Sequence, residues 1–143
     1  MLGRFPRTTI KAMLQEESTY DASERARVAD MISDSPQRML LMGQLAASGT
    51  PMEPRMAGYE NDFRQIEAID KLPLEDIRCP TLICHGTADG DVPFSHAENA
   101  FRAIPNAQLH RMEAAWHLVW MDERVDKMLQ TQVEFAKEHL STG

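Results

Sequence analysis

The chain has 143 residues, of which 43% are apolar and 26% charged, and its net charge at pH 7 is -7. This composition is typical of one globular domain, and the acidic balance argues against a nucleic-acid partner, whose phosphates require Lys and Arg. No run approaches the roughly 20 apolar residues of a membrane helix, and the first 13 residues contain no apolar run of the signal-peptide kind. We therefore expect a cytoplasmic protein without a membrane partner.

The first half of the chain, residues 8–70, has a helical pattern and no convincing strand. Asp21 with Glu24 forms a capping box, and Ser35 followed by Pro36 is typical of an N-cap and the first helical position. Several short helices are expected here. The apolar residues at helical spacing include Ile10, Met13, Leu14, Phe63, Ile66 and Ile69.

Beyond residue 72 the pattern alternates between strands and helices. PTLICHG, ending at Gly86, predicts a buried strand, and a helix is expected over about residues 95–104. Residues 107–113 alternate as a strand does, and the final helix is expected over about residues 122–140. The order is βαβα, which predicts an α/β fold with parallel strands. The final helix carries an apolar stripe of Val125, Met128, Leu129, Val133, Ala136 and Leu140.

Two parallel strands are too few for an ordinary parallel sheet, which is normally covered on both faces and extended by further strands. The helical first half supplies no strand to pair with PTLIC. We therefore expect an unpaired strand edge. A second copy of the chain, or a missing N-terminal half, is the expected partner at that edge.

Two cysteines, Cys79 and Cys84, flank the run PTLI. On a strand they lie on opposite faces and too far apart for a disulfide, so we expect free thiols buried as small apolar side chains. No Cys or His pair has zinc-ligand spacing, so we expect no metal site and no cofactor.

The strongest local signal is HGTADGDVP, from His85 to Pro93, where a predicted strand has ended and the next helix has not begun. This segment therefore lies at the carboxyl-terminal edge of the predicted parallel sheet, where open α/β folds place their catalytic groups. Asp89 is the candidate acid and Asp91 the fallback, although Asp is also common in turns for its local hydrogen bonds. His85 is expected to bond nearby backbone.

A second signal is His117, in the loop AAWHLVW after the next predicted strand. Side chains at the ends of adjacent parallel strands can meet, so His117 is expected to pair with Asp89. The carboxylate would then hold the Nδ1 proton and leave Nε2 free to act as a base. The alternative is a histidine with a purely structural role at a strand end.

The segments PTLICHGTADGDVPFSHAE and AWHLVWMDERVDKMLQTQVEFAKEHL resemble the last two strand–helix units of the α/β-hydrolase superfamily, over about residues 72–140. The resemblance implies a triad in the chain order nucleophile, acid, histidine, with Asp89 and His117 in the last two places. Residues 1–71 resemble part of the helical lid of that family. The chain thus divides into a cap-like segment, residues 1–71, and a C-terminal part of the hydrolase core, residues 72–143.

This sequence also departs from the family pattern. The nucleophile motif G-x-S-x-G is absent from these residues, Ser48 in AASGT does not fit it, and Trp116 stands where many members have Gly. The resemblance implies hydrolysis of an ester or similar acyl compound, with an apolar small molecule as substrate. The chain alone is expected to be inactive because it has no nucleophile.

Two other interpretations remain open. The chain can be a shortened, non-catalytic module that associates with itself or with a partner through its strand edge. It can also belong to a flavodoxin-like or Rossmann-type fold with HGTADGD as a ligand turn, although no phosphate-binding glycine fingerprint supports that reading.

Overall fold

The structure of the protein is a computed structural model and describes residues 7–140. Residues 1–6 and 141–143, which the two predicted segments include, lie outside the described range. The helices are α1 (Arg7–Glu17), α2 (Ala22–Ser33), α3 (Pro36–Gly49), α4 (Met56–Glu67), α5 (Phe94–Ala103) and α6 (Val125–Leu140), and the strands are β1 (Thr81–Gly86) and β2 (Ala107–Met112). Single 3-10 turns occupy Glu53–Arg55, Leu74–Asp76 and Val119–Met121.

The helix starts follow the capping residues of the sequence. Asp21 precedes α2, and its carboxylate accepts hydrogen bonds from the backbone amides of Ser23 and Glu24. Ser35 precedes α3 in the same way, with its hydroxyl accepting from the amide of Arg38. These side chains satisfy amides that have no partner within the helix.

The strands β1 and β2 form a parallel pair, in register from Thr81 opposite Ala107 to Gly86 opposite Met112. The helix α5 connects them and packs on both, as α6 also does. The architecture is therefore α/β, with βαβα after a helical segment, as predicted. Because the strands are parallel, the loops that follow them leave the sheet at the same edge.

The core consists of two clusters of buried side chains. One joins α1, α2 and α3 to Trp116, Leu118 and Met121 from the loop after β2. The other joins Met112 and Ala115 to Met128 of α6. Trp116 is fully buried, so the residue before His117 is anchored among the helices of the first half.

Two sequence-based expectations, the burial of Cys79 and the start of α6, need correction, and the exposure of the α6 stripe is a new observation. Cys79 is exposed because it lies before β1, although both cysteines are free thiols as predicted. In α6, only Met128 of the predicted stripe is buried, whereas Leu129 is 48% and Val133 51% exposed. The same helix begins at Val125, not near residue 122, because Asp122 folds back on Arg124 just before it.

The helix α4 is amphipathic but contacts little beyond the 3-10 turn that precedes it. Its large apolar side chains Tyr59, Phe63 and Ile66 are exposed. Nothing among residues 7–140 covers them. No helix in the described part of the chain is both long and apolar enough to cross a membrane.

Candidate active site

The turn after β1 fixes the carboxylate of Asp89. Its Oδ1 accepts hydrogen bonds from the backbone amides of Asp91 at 3.0 Å and Val92 at 2.8 Å. The residue is only 7% exposed. Two amide donors and burial hold this side chain in one orientation and leave Oδ2 for another partner.

That partner is His117, whose Nδ1 lies 3.0 Å from Asp89 Oδ2. With an ionised carboxylate, which only accepts hydrogen bonds, Nδ1 is the donor of this contact, and Nε2 of a neutral ring is left as the acceptor. The imidazole is about one-third exposed, so a group from outside can reach it. The structure thus brings together the two candidate residues of the sequence, as an oriented acid–base pair that can take a proton at Nε2.

Asp91, the fallback acid, lies on the opposite side of the ring. Its Oδ2 is 3.6 Å from His117 Nε2, and its side chain is 61% exposed. Because it faces Nε2 and not Nδ1, Asp91 does not occupy the position of an acid that orients the ring through Nδ1. The geometry favours Asp89 for that position.

The loops after β1 and β2 are joined by a short network of hydrogen bonds. Ala88 donates its amide to the carbonyl of Ala115 at 2.9 Å, and Ala114 donates its amide to the hydroxyl of Thr87 at 2.8 Å. A Cβ on Gly86 would lie 2.2 Å from the carbonyl oxygen of Ala115, so only glycine allows this approach. The distance from Asp89 to His117 therefore depends on backbone packing, not only on the two side chains.

His85 has a supporting position. Its Nδ1 lies 2.9 Å from the carbonyl oxygen of Gly86, its Nε2 is 3.7 Å from Asp89 Oδ2, and its ring meets the edge of Phe94. This agrees with the expectation that His85 bonds nearby backbone.

Sequence reasoning missed Glu17, at the end of α1. Its backbone carbonyl accepts hydrogen bonds from the amides of Gly90 and His117, and its Oε2 is buried without a hydrogen-bond partner. Burial raises the pKa of Glu17, nearby Asp91 and Asp89 add to the increase, and His117 opposes it. No motif marks this residue, because its proximity to the pair arises from a contact across some 70 residues of sequence.

Ser18 is adjacent to the pair but is not placed as a nucleophile. Its backbone pairs with that of Asp89, whereas its hydroxyl donates to the carbonyl of Leu14. Ser48 lies in α3, with its hydroxyl bonded to Leu45. Among residues 7–140, no group of three or more His, Cys, Asp or Glu side chains could hold a metal ion.

Comparisons with known proteins agree with this architecture. The model of the prolyl oligopeptidase family matches residues 8–143. An α/β-hydrolase fold protein from Nakamurella multipartita superposes with a TM-score of 0.80 and 28% sequence identity, over 91% of this chain. The match covers 45% of that relative, so this chain spans less than half of the relative's length. The comparison with curated proteins gave no match.

The family match extends over nearly the whole chain, and the solved relative shares its helical segment as well as its βαβα unit. The flavodoxin-like and Rossmann-type interpretation is therefore wrong. The chain has the architecture of part of an α/β-hydrolase fold, and it belongs to the prolyl oligopeptidase family.

Proposed function

We propose that this chain supplies the acid and the general base of a serine-type hydrolase that cleaves esters or related acyl compounds. The observation that carries the proposal is the 3.0 Å contact between Asp89 Oδ2 and His117 Nδ1, with Asp89 Oδ1 held by two backbone amides. This arrangement supports the proposal because the acid and the histidine of a catalytic triad require the same geometry.

In the proposed reaction, a serine from outside residues 1–143 attacks the acyl carbon while Nε2 of His117 takes its proton. Asp89 stabilises the imidazolium that results. The same nitrogen then donates the proton to the leaving group, and a water activated by His117 hydrolyses the acyl-enzyme. The donors that stabilise the oxyanion would come from the same outside region.

Two classes of acyl substrate are candidates for this reaction. The resemblance seen in the sequence favours a carboxylic ester as substrate. The name of the prolyl oligopeptidase family suggests a second substrate class, peptides cleaved next to proline. Both reactions use the same pair, so the geometry of Asp89 and His117 does not distinguish them. A panel of nitrophenyl esters and proline-containing peptide amides separates the two classes.

The first experiment assays residues 1–143 alone. We expect no ester or peptide hydrolysis above that of the His117→Ala variant, because an Asp–His pair without a nucleophile has only water to activate. A turnover that disappears in His117→Ala would contradict the proposal that the nucleophile lies elsewhere. Ser18→Ala is the second control, since Ser18 is adjacent to Asp89.

The second experiment uses a chain that is extended upstream with its own coding sequence, if that sequence contains an in-frame G-x-S-x-G. We expect activity in the extended chain and a loss of about 10³-fold or more in kcat for Asp89→Ala or His117→Ala. The exposed His96→Ala variant should keep full activity. An extended chain that hydrolyses acyl substrates equally well without His117 would rule the mechanism out.

The alternative function is a non-catalytic module that associates through its uncovered surfaces. The exposed apolar side chains of α4 and α6 favour it. A strictly monomeric solution mass at high concentration would count against this alternative, whereas labelling of an extended chain by a fluorophosphonate would favour the hydrolase.

A cytoplasmic location belongs to the same proposal. It is supported by the two free thiols, which are typical of a reducing compartment. Cell fractionation with an antibody against residues 1–143 tests it.

A further inference from the structure

The segment from Glu17, the last residue of α1, to Tyr20, in the link to α2, contacts both loops of the candidate active site. We call this segment the cap tether, because it belongs to the cap-like first half of the chain. The carbonyl oxygen of Glu17 accepts from the amide of Gly90 at 3.2 Å and from the amide of His117 at 3.4 Å. One acceptor in the cap tether thus bridges the residue after the acid and the histidine itself.

The acid turn contacts the cap tether a second time. Thr19 donates its amide to the carbonyl of Ala88 at 2.9 Å, and Ser18 forms an antiparallel bridge with Asp89. A Cβ on Gly90 would meet backbone atoms of Ser18 at 2.7 Å. The backbones therefore pack so closely that a side chain at position 90 would separate them.

The histidine loop is held by the last residue of the cap tether. The hydroxyl of Tyr20 donates to the carbonyl oxygen of Ala114 at 2.5 Å. Ala114 has a φ of 53°, the left-handed region that residues with a Cβ rarely adopt. A loop that turns through such a residue needs contacts that hold its conformation. The hydrogen bond from Tyr20 is one such contact, and it lies three residues before His117.

Tyr20 is suited to this role because it is 5% exposed and remains a neutral donor. Burial, with a further contribution from Asp122, raises the pKa of its hydroxyl to about 12. The side chain therefore keeps its proton over the whole physiological range.

We propose that the cap tether positions the catalytic pair: it sets the separation of Asp89 and His117, so that a displacement of α1 is transmitted directly to their hydrogen bond. A role of the cap tether in catalysis rests on the proposed hydrolase. Its effect on the separation of Asp89 and His117 can be measured without a nucleophile. Glu17 and Tyr20 act through the two loops and are positioning residues.

The test uses residues 1–143 labelled with ¹⁵N, and observes the ring N–H of His117 and the hydrogen exchange of backbone amides by NMR. Tyr20→Phe removes one oxygen, and Gly90→Ala adds the Cβ that would meet Ser18. Tyr59→Phe is the matched tyrosine control, because Tyr59 is exposed on α4. Gly58→Ala is the matched glycine control, because a Cβ there would meet nothing within 4 Å.

We expect both tether variants to lose or broaden the Nδ1–H signal of His117 and to exchange the His117 amide roughly two- to tenfold faster, the range equivalent to one hydrogen bond. Core amides such as that of Ile32 should not accelerate, and both controls should match the parent chain. Selective acceleration at His117 separates positioning from a general loss of stability. If Gly90→Ala does not fold, Tyr20→Phe alone decides the question.

An unchanged His117 ring signal and amide exchange rate in Tyr20→Phe would overturn the inference. So would an acceleration that is equal at His117 and at Ile32. The assay needs no turnover, so its failure is distinct from that of the proposed function, which is measured by hydrolysis in an extended chain.

Discussion

Asp89 divides its two carboxylate oxygens between two tasks. Oδ1 closes the turn by accepting two backbone amides, and Oδ2 faces His117. A turn that uses Asp for local hydrogen bonds and a site that uses Asp as an acid are therefore not alternatives here. The structural role of Asp89 in the turn uses Oδ1, and its proposed catalytic role uses Oδ2.

Ala114 leads to a prediction about stability. A left-handed conformation costs an L-residue about 1–2 kcal/mol, whereas glycine costs roughly 0.5–1 kcal/mol in chain entropy relative to alanine. We expect Ala114→Gly to stabilise the protein by up to about 1 kcal/mol, measured as a higher midpoint in urea unfolding. Ala26→Gly, within α2, is the control and should destabilise by about 1 kcal/mol. Destabilisation by both variants would contradict the role of strain at Ala114.

Glu17 gives the stability a pH dependence. Its pKa is raised above the ordinary value of 4.5, mainly by burial and also by Asp91 and Asp89, against the opposing charge of His117. Between the two values the folded protein binds more protons than the unfolded chain, so this contribution to stability is lost as the pH rises through the raised pKa.

We therefore expect Glu17→Gln to flatten the fall in unfolding free energy above pH 4.5 and to be more stable than the parent chain at pH 7. Urea unfolding at a series of pH values measures both effects. Glu16→Gln, at the exposed neighbouring position, should leave the slope unchanged. A Glu17→Gln profile with the parental slope would show that this carboxylate does not contribute.

At the scale of elements, the start of α3 shows how far local chemistry determines the helices. Ser35 caps the helix, and Pro36 occupies its first turn, where the missing amide hydrogen is not needed. These signals are local, and the structure follows them. The capping residues Asp21 and Ser35 therefore predict to within one residue where α2 and α3 begin.

We expect Ser35→Ala to destabilise the protein by about 1 kcal/mol, because an amide at the helix start loses its acceptor. Ser35→Asn should restore most of the loss. Ser48→Ala is the matched control, since Ser48 is exposed near the end of α3 and its hydroxyl only bonds back to Leu45. Thermal unfolding followed by circular dichroism compares the three. Equal losses at Ser35 and Ser48 would exclude a capping effect.

Helix α6 shows that a sequence pattern can predict a helix without predicting which of its residues are buried. The periodicity identified an amphipathic helix, and α6 exists over nearly the expected range. It did not reveal that Met128 is buried while Leu129 and Val133 are exposed within residues 7–140. Periodicity shows that a stripe is apolar, but not how much of the stripe the remaining chain covers.

For the whole molecule, the surface of residues 7–140 includes exposed apolar side chains of α4 and α6 and the unpaired edges of a two-stranded sheet. Apolar surface of this kind favours association. In the proposed hydrolase, it is the surface that the nucleophile-bearing region would cover.

Two substitutions in α6 test this description. We expect Val133→Lys to change the stability by less than about 0.5 kcal/mol, because the side chain is exposed, and to reduce concentration-dependent association. Met128→Lys buries a charge and should destabilise by about 3 kcal/mol or more. Light scattering after size-exclusion chromatography and urea unfolding measure the two effects. A large loss of stability in Val133→Lys would mean that this face is already covered.

The sequence by itself determined the α/β class, the starts of α2 and α3 and the candidate residues Asp89 and His117, because caps, periodicity and the turn after a strand depend on neighbouring residues. The division into residues 1–71 and 72–143 stays a prediction. Only the tertiary structure decided that Asp91 faces Nε2 and that the cap tether joins both loops. Both relations depend on contacts between residues that are not neighbours in the sequence, about 70–100 residues apart for the cap tether, and no local pattern encodes them.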